Sequence, residues 1–143
     1  KRGASPCVSP IAAGLHRLGR RDAITEYVDW LPAPAQGALA VQARAGDAEV
    51  HAALKPIHDA RTAACTRAER ALLRVLEGGC SVPVGALARH RGGRLELQGL
   101  VAATDGSQVL ESSATGSDPD ALGREVAEQL LSMGARGILD AAE

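Results

Sequence analysis

Cysteine, histidine and arginine are the residues whose placement in this chain could support chemistry beyond packing. The cysteines Cys7, Cys65 and Cys80 are odd in number and contain no Cys-x-x-Cys pair. They describe neither a disulfide framework nor a zinc-ribbon site, and no metal site is expected. The suggestive thiol is Cys80, in the run Glu77-Gly78-Gly79-Cys80-Ser81-Val82-Pro83-Val84-Gly85. Two glycines let backbone approach a ligand closely. The same residues also describe a helix C-cap followed by a small buried residue, because free cysteine is often core filler. A thiol hydrolase is the weakest reading. The C-terminal end of a helix is the negative pole of its dipole and disfavours a thiolate, and no spacing puts the ring of His90 beside Cys80.

Arginine position says more than arginine number. Basic residues are fourteen Arg and two Lys, a bias that a GC-rich coding sequence alone would produce. Residues 61 to 94 hold seven Arg against two Glu, whereas residues 95 to 143 hold two Arg against nine acids. Such a basic middle is either a solvated face or a site for carboxylate or phosphate ligands. The formal net charge is only −1, and no nucleic-acid partner is expected.

The elements that must position these residues follow from periodicity and capping. The 143 residues, 45% apolar and 23% charged, suit one ordinary domain or two small ones and exclude general disorder. No apolar run approaches the roughly 20 residues of a membrane helix, and Lys1-Arg2-Gly3 leads into no signal-peptide region. A cytoplasmic chain with no membrane partner is expected, and the absence of an initial Met suggests a piece of something longer. Ser9 as N-cap, Pro10, the spaced Ile11, Leu15 and Leu18, and Gly19 as stop predict a short helix. Ile24 to Val28 reads as a short strand. Residues 31 to 37 must be extended or turning because Pro32 and Pro34 forbid a helix. Ala38 to Ala43 reads as a strand and Asp47 to Ile57 as a helix.

The strongest helix runs from about Arg61 to Leu76, with Ala64, Ala68, Leu72 and Val75 or Leu76 on one face. From Val82 the period becomes two. Val82, Val84, Ala86 and Ala88 alternate, Arg91-Gly92-Gly93 turns, and Leu95, Leu97, Gly99, Val101 and Ala103 alternate again. Asp105-Gly106 favours a tight hairpin, and Val109 to Ala114 returns. A last helix has Ser117 or Asp118 as cap, Leu122, Val126, Leu130 and Met133 on one face, and Gly134 beyond its end. The fold class expected is α/β, α+β in residues 60 to 143: a three-stranded antiparallel sheet covered by two helices around an aliphatic core.

Glu69-Arg70, Leu72, Leu76, Gly78-Gly79-Cys80 and Val82-Pro83-Val84-Gly85 together resemble the signature of the porphobilinogen deaminases, also called hydroxymethylbilane synthases. Ala13-Gly14-Leu15-His16-Arg17-Leu18-Gly19 and Leu31-Pro32-Ala33-Pro34-Ala35-Gln36-Gly37-Ala38-Leu39-Ala40 resemble two further stretches of that family, in the same order. The hairpin and final helix look like its third domain. The resemblance covers roughly the second half of the family's chain. Residues 3 to 10 depart from the Asp-containing apolar segment that normally precedes the Ala-Gly-Leu helix.

The resemblance implies a transferase of tetrapyrrole and heme biosynthesis that joins four porphobilinogen units head to tail with release of ammonia. It implies a dipyrromethane cofactor held by a thioether to Cys80, with Gly79 leaving room for a pyrrole ring and Ser81 offering a polar contact. Such a thiol reacts once and then serves as an anchor. Arg17 matches an arginine that pairs with pyrrole carboxylates, and Gln36, Gly37 and Ala38 match a loop that approaches cofactor and substrate. The family's catalytic aspartate belongs to the N-terminal half, so no catalytic residue is expected here. Residues 1 to 59 would be partial remnants of the first two α/β domains and residues 60 to 143 the cofactor-anchoring third. The partners implied are porphobilinogen, polypyrrole intermediates and the N-terminal half of the enzyme, the full-length form being a monomer. The alternative is a noncatalytic interaction module or an inactive truncated remnant.

Overall fold

A computed structural model describes residues 18–20, 30–76 and 83–142. Helix α1 (Ala48–Leu54) starts at Asp47, whose Oδ1 accepts from the Val50 N–H at 3.1 Å. A single 3-10 turn, Lys55–Ile57, follows it and contains Pro56. Helix α2 (Ala60–Val75) is capped by Asp59, which accepts from the Thr62 N–H at 2.6 Å. A carboxylate at this position satisfies one of the orphan donors of a first turn. The expected helices over 47–57 and 61–76 are both present, the first ending in the tighter turn that Pro56 imposes.

Strands β1 (Val84–Arg91), β2 (Arg94–Ala102) and β3 (Val109–Gly116) form an antiparallel meander in the order β1-β2-β3. Gly92 and Gly93 make the first turn, with φ of 57° and 82° between the paired Arg91 and Arg94. Positive φ at both central positions matches the twist of a two-residue hairpin. The second connection is longer than the Asp105-Gly106 dipeptide predicts. Ala103 donates to the Gln108 carbonyl at 2.8 Å, and the Asp105 carboxylate accepts from the Ser107 N–H inside the loop.

Register puts Val84, Ala86, Ala88 and His90 opposite Val101, Gly99, Leu97 and Leu95, which in turn face Leu110, Ser112, Ala114 and Gly116. This face is covered by α2 and by helix α3 (Pro119–Ser132), capped by Asp118. The buried cluster of Leu72, Leu76, Leu97, Val101, Leu122, Val126 and Leu130 contains no aromatic ring, as the composition requires. Met133, expected on the apolar face of α3, is its exposed C-cap.

Two expectations need correction. Gly134, at φ 102°, does end α3, but the chain re-enters a helix at once: α4 (Ala135–Asp140) buries Ala135, Ile138 and Leu139 against the unit. The expected strand over Ala38 to Ala43 is irregular chain, with Leu39 97% and Val41 61% exposed. Alternating side chains do not make a strand without a neighbour to take its backbone hydrogen bonds, and none of the described residues pairs with it. The expected helix from Ser9 and the strand over Ile24 to Val28 lie outside the described residues, apart from Leu18 and Gly19.

Candidate functional site

The Leu31–Ala38 loop docks on the outer edge of β1. Ala86 donates to the Pro32 carbonyl at 2.9 Å, and a Cβ added at Gly85 would meet Leu31 Cβ at 3.1 Å, so loop and strand are in close contact there. Gln36 donates to the Ala33 carbonyl and Ala38 to that of Ala35, both at 3.2 Å. These two turns bring Ala35 to a φ of 63°, a left-handed conformation that costs an L-residue about 1 kcal/mol. It persists because the surroundings hold it.

What holds it is Glu69 of α2. One carboxylate oxygen, Oε2, accepts from the Ala35 N–H at 2.7 Å, and the other, Oε1, accepts from the Ala88 N–H at 2.7 Å. The residue is 5% exposed. Burial pushes its carboxyl above the ordinary 4.5, and the N–H groups of Ala88 and Ala35 pull it part of the way back. An unpaired buried carboxylate would cost several kcal/mol; two charge-assisted hydrogen bonds make the burial tolerable. Sequence reasoning missed this residue's role because a glutamate beside an arginine on a helix reads as solvated. Its position held the signal, since Cys65, Glu69, Leu72 and Leu76 share one helical face and Glu69 is the one charge on it.

Of the residues predicted to form the site, Gln36 and Gly37 are exposed on the docked loop and Ala38 is half-buried. Among the described residues, a Cβ added at Gly37 would meet nothing within 4 Å, so they leave the space beside it open. Beyond it lies an open cleft of about 790 Å³ between Gly37–Val41 and the stretch bearing His51, Lys55 and His58. Arg17, Gly79, Cys80 and Ser81 lie outside the described residues. The ends of the Cys80 link are described: Leu76 is buried, and Pro83 accepts from the Ala102 N–H at 3.1 Å. The docked loop lies on β1, the strand that follows the Cys80 link in sequence.

The basic middle divides into structural and available groups. Arg67 and Arg74 both pair with Asp120, the second at 2.9 Å, and so tie α2 to the first turn of α3. Arg91 pairs with Glu96 at 2.9 Å, and Arg94 donates to the Thr115 carbonyl at 3.0 Å. Arg70 is exposed with no ion pair among the described residues. Cys65 is half-buried, and burial, helped by the neighbouring Glu69, pushes its thiol above the ordinary range; it is a packing residue. His90 lies on the covered face of the sheet, its Nε2 buried without a hydrogen-bond partner among the described residues. No group of three or more metal-ligating side chains occurs among the described residues.

The described residues form a small α+β unit whose first strand, β1, follows the glycine-rich cysteine run in sequence and carries a docked loop on its outer edge. The family model described as "Porphobilinogen deaminase, C-terminal domain" matches residues 63–132, and that described as "Porphobilinogen deaminase, dipyromethane cofactor binding domain" matches residues 9–52. A porphobilinogen deaminase of Thiobacillus denitrificans is 49% identical over 135 residues, 91% of this chain and 44% of its own length. One of Syntrophobacter fumaroxidans is 45% identical over 143 residues, 96% of this chain and 46% of its own length. Porphobilinogen deaminase 1 of Streptomyces avermitilis is 47% identical over 146 residues, 92% of this chain and 45% of its own length. The chain belongs to the porphobilinogen deaminase family, matching its C-terminal part, and spans a little under half the length of these relatives.

Proposed function

We propose that this chain is the C-terminal, cofactor-anchoring portion of a hydroxymethylbilane synthase, the transferase that condenses four porphobilinogen units with release of ammonia. The observation that carries the proposal is the docking of the Gln36-Gly37-Ala38 loop on β1, the strand that directly follows the Cys80 link. On this reading residues 60–143 are the anchoring domain and residues 1–59 belong to the two preceding domains. The working enzyme is a cytoplasmic monomer that also needs the part of the family sequence this chain does not span. No described helix is long and apolar enough to cross a membrane.

The residues present fit a dipyrromethane. A cysteine can form the thioether, the described residues leave the space at Gly37 open, and Lys55 offers a cation on the adjoining cleft. When bound, that group supplies the pyrrole end to which further units are joined. Cys80 Sγ would hold it covalently, Gly79 would leave room for a ring, and Ser81 would give a nearby polar contact. The amide of Gln36 can both donate and accept, so it suits a pyrrole N–H or a side-chain carboxylate. Arg17 can grip an acetate or propionate through two parallel hydrogen bonds.

Attachment is read by mass. In a full-length enzyme carrying this sequence, Cys80→Ser should remove the dipyrromethane adduct while Cys65→Ser, which alters only a half-buried packing thiol, keeps it. An adduct surviving Cys80→Ser would end the assignment.

A further inference from the structure

We propose that Glu69 is a positioning residue whose carboxylate latches the Gln36-Gly37 loop to β1, so that loop geometry is set from inside the anchoring unit. The role given to the loop rests on the function proposed above. The latch itself rests on atoms already described. Glu69 is the one side chain among the described residues that bonds both the loop, at Ala35, and the strand, at Ala88. The neighbouring contact, Ala86 to Pro32, is backbone alone. Ala86 and Ala88 present their N–H groups on the edge of β1 that β2 does not occupy, and an uncovered edge of this kind invites wrong pairing. Loop and carboxylate together cover it. Because the loop includes a left-handed alanine, it has a conformational reason to leave once its holding bond is lost.

The two oxygens make the latch specific for a carboxylate. A glutamine in place of Glu69 keeps one acceptor and turns an NH₂ group toward the second N–H, donor against donor. Ala88 is fixed within the β1–β2 ladder, so the surviving acceptor stays with the strand and the loop loses its partner. Aspartate is one methylene shorter, so its carboxylate stops short of the two donors that Glu69 meets at 2.7 Å. The neutral isostere also removes the desolvation cost of the buried charge. Glu69→Gln should therefore free the loop without loosening the core, a split that a merely structural glutamate would not produce.

Hydrogen exchange of the full chain, read by mass spectrometry with no pyrrole present, tests this. In Glu69→Gln, the amides of Ala35, Gln36 and Ala38 should exchange about ten-fold faster, the loss of one charge-assisted hydrogen bond, while those of β2 and α3 keep their wild-type rates. Ala35→Gly leaves both donors in place and relieves the left-handed φ. It should slow loop exchange about three-fold when Glu69 is present and leave it unchanged when combined with Glu69→Gln. Loop exchange that is unaltered in Glu69→Gln, an equal acceleration across the whole chain, or additive effects of the two substitutions would overturn the latch. Since no cofactor enters the measurement, its failure is distinct from failure of the Cys80 adduct test.

Discussion

Single carboxylates in this chain act in two opposite senses. Asp59, Asp105 and Asp120 are held below the ordinary 3.8, by hydrogen bonds from Thr62, from Ser107 and from Arg67 respectively. Their contribution to folding is present above 3.8 and is lost as the pH falls through their lower folded values. Glu69, raised above 4.5 by burial, binds its proton more tightly in the folded chain than in the unfolded one. Its contribution is complete below 4.5 and is lost as the pH rises through its folded value. Comparing urea midpoints of wild type and Glu69→Gln isolates this group, because the three aspartates are common to both. The wild type should gain on the variant as the pH is lowered from 7 to 4.5, and both should weaken together below 3.8. A constant gap between the two curves would mean that the Ala88 and Ala35 N–H groups offset the burial penalty in full.

At the scale of elements, α2 and α3 approach so closely that one position admits no side chain. A Cβ on Gly123 would lie 2.4 Å from the Ala68 carbonyl oxygen, 2.5 Å from Ala71 Cβ and 2.8 Å from the Leu72 nitrogen. Two of these are backbone atoms, which cannot swing aside. Alanine gains up to about 1 kcal/mol of helix propensity over glycine, but overpacking against backbone costs more, about 3 kcal/mol. Gly123→Ala should therefore lower the thermal midpoint by roughly 10 °C. Gly99→Ala in β2 meets only side-chain ends, with Leu72 Cδ1 at 2.7 Å and Val126 Cγ1 at 2.9 Å. Side chains can give by a few tenths of an ångström where backbone cannot, although the buried Val126 is stiff about χ1, so its cost should be smaller, about 2 kcal/mol. Thermal melts of the two variants check the order, and equal midpoints would contradict the backbone clash.

Elements that carry their own signals were legible from the sequence. Asp118 with Pro119 marks a helix start, and the run from Arg91 to Gly93 makes a turn that only glycine fits easily. The third strand and the aliphatic core follow from period-two alternation and the scarcity of aromatic residues. What escaped depended on tertiary partners. A segment such as Ala38 to Ala43 has strand-like alternation but no ladder among the described residues. Gly134 looks like an end when it is a corner before α4. Of the site, the Gln36 loop was found by resemblance, yet the residue holding it was not, because no local pattern reveals that the N–H groups of Ala35 and Ala88 will flank Glu69.

On the scale of the whole molecule, the distribution of parts predicts binding without turnover for this chain alone. On the function proposed above, positive charge develops on a pyrrole nitrogen as ammonia leaves, and a carboxylate preorganised in a site shielded from water would stabilise it. The described carboxylates are already committed or exposed: Glu69 holds two backbone donors, and Asp120 is taken by Arg67 and Arg74. Glu77, three positions from Cys80 in sequence, lies outside the described residues. The carboxylate is expected from the part of the family sequence that this chain, at 44% of the Thiobacillus relative's length, does not span. Incubation of the chain with porphobilinogen, followed by oxidation and detection of uroporphyrin, should give no product above a protein-free blank. Adding a polypeptide for the unspanned part of such a relative should restore it, and only with Cys80 intact. Product from the chain alone, lost on Cys80→Ser, would instead place the reacting carboxylate within these 143 residues.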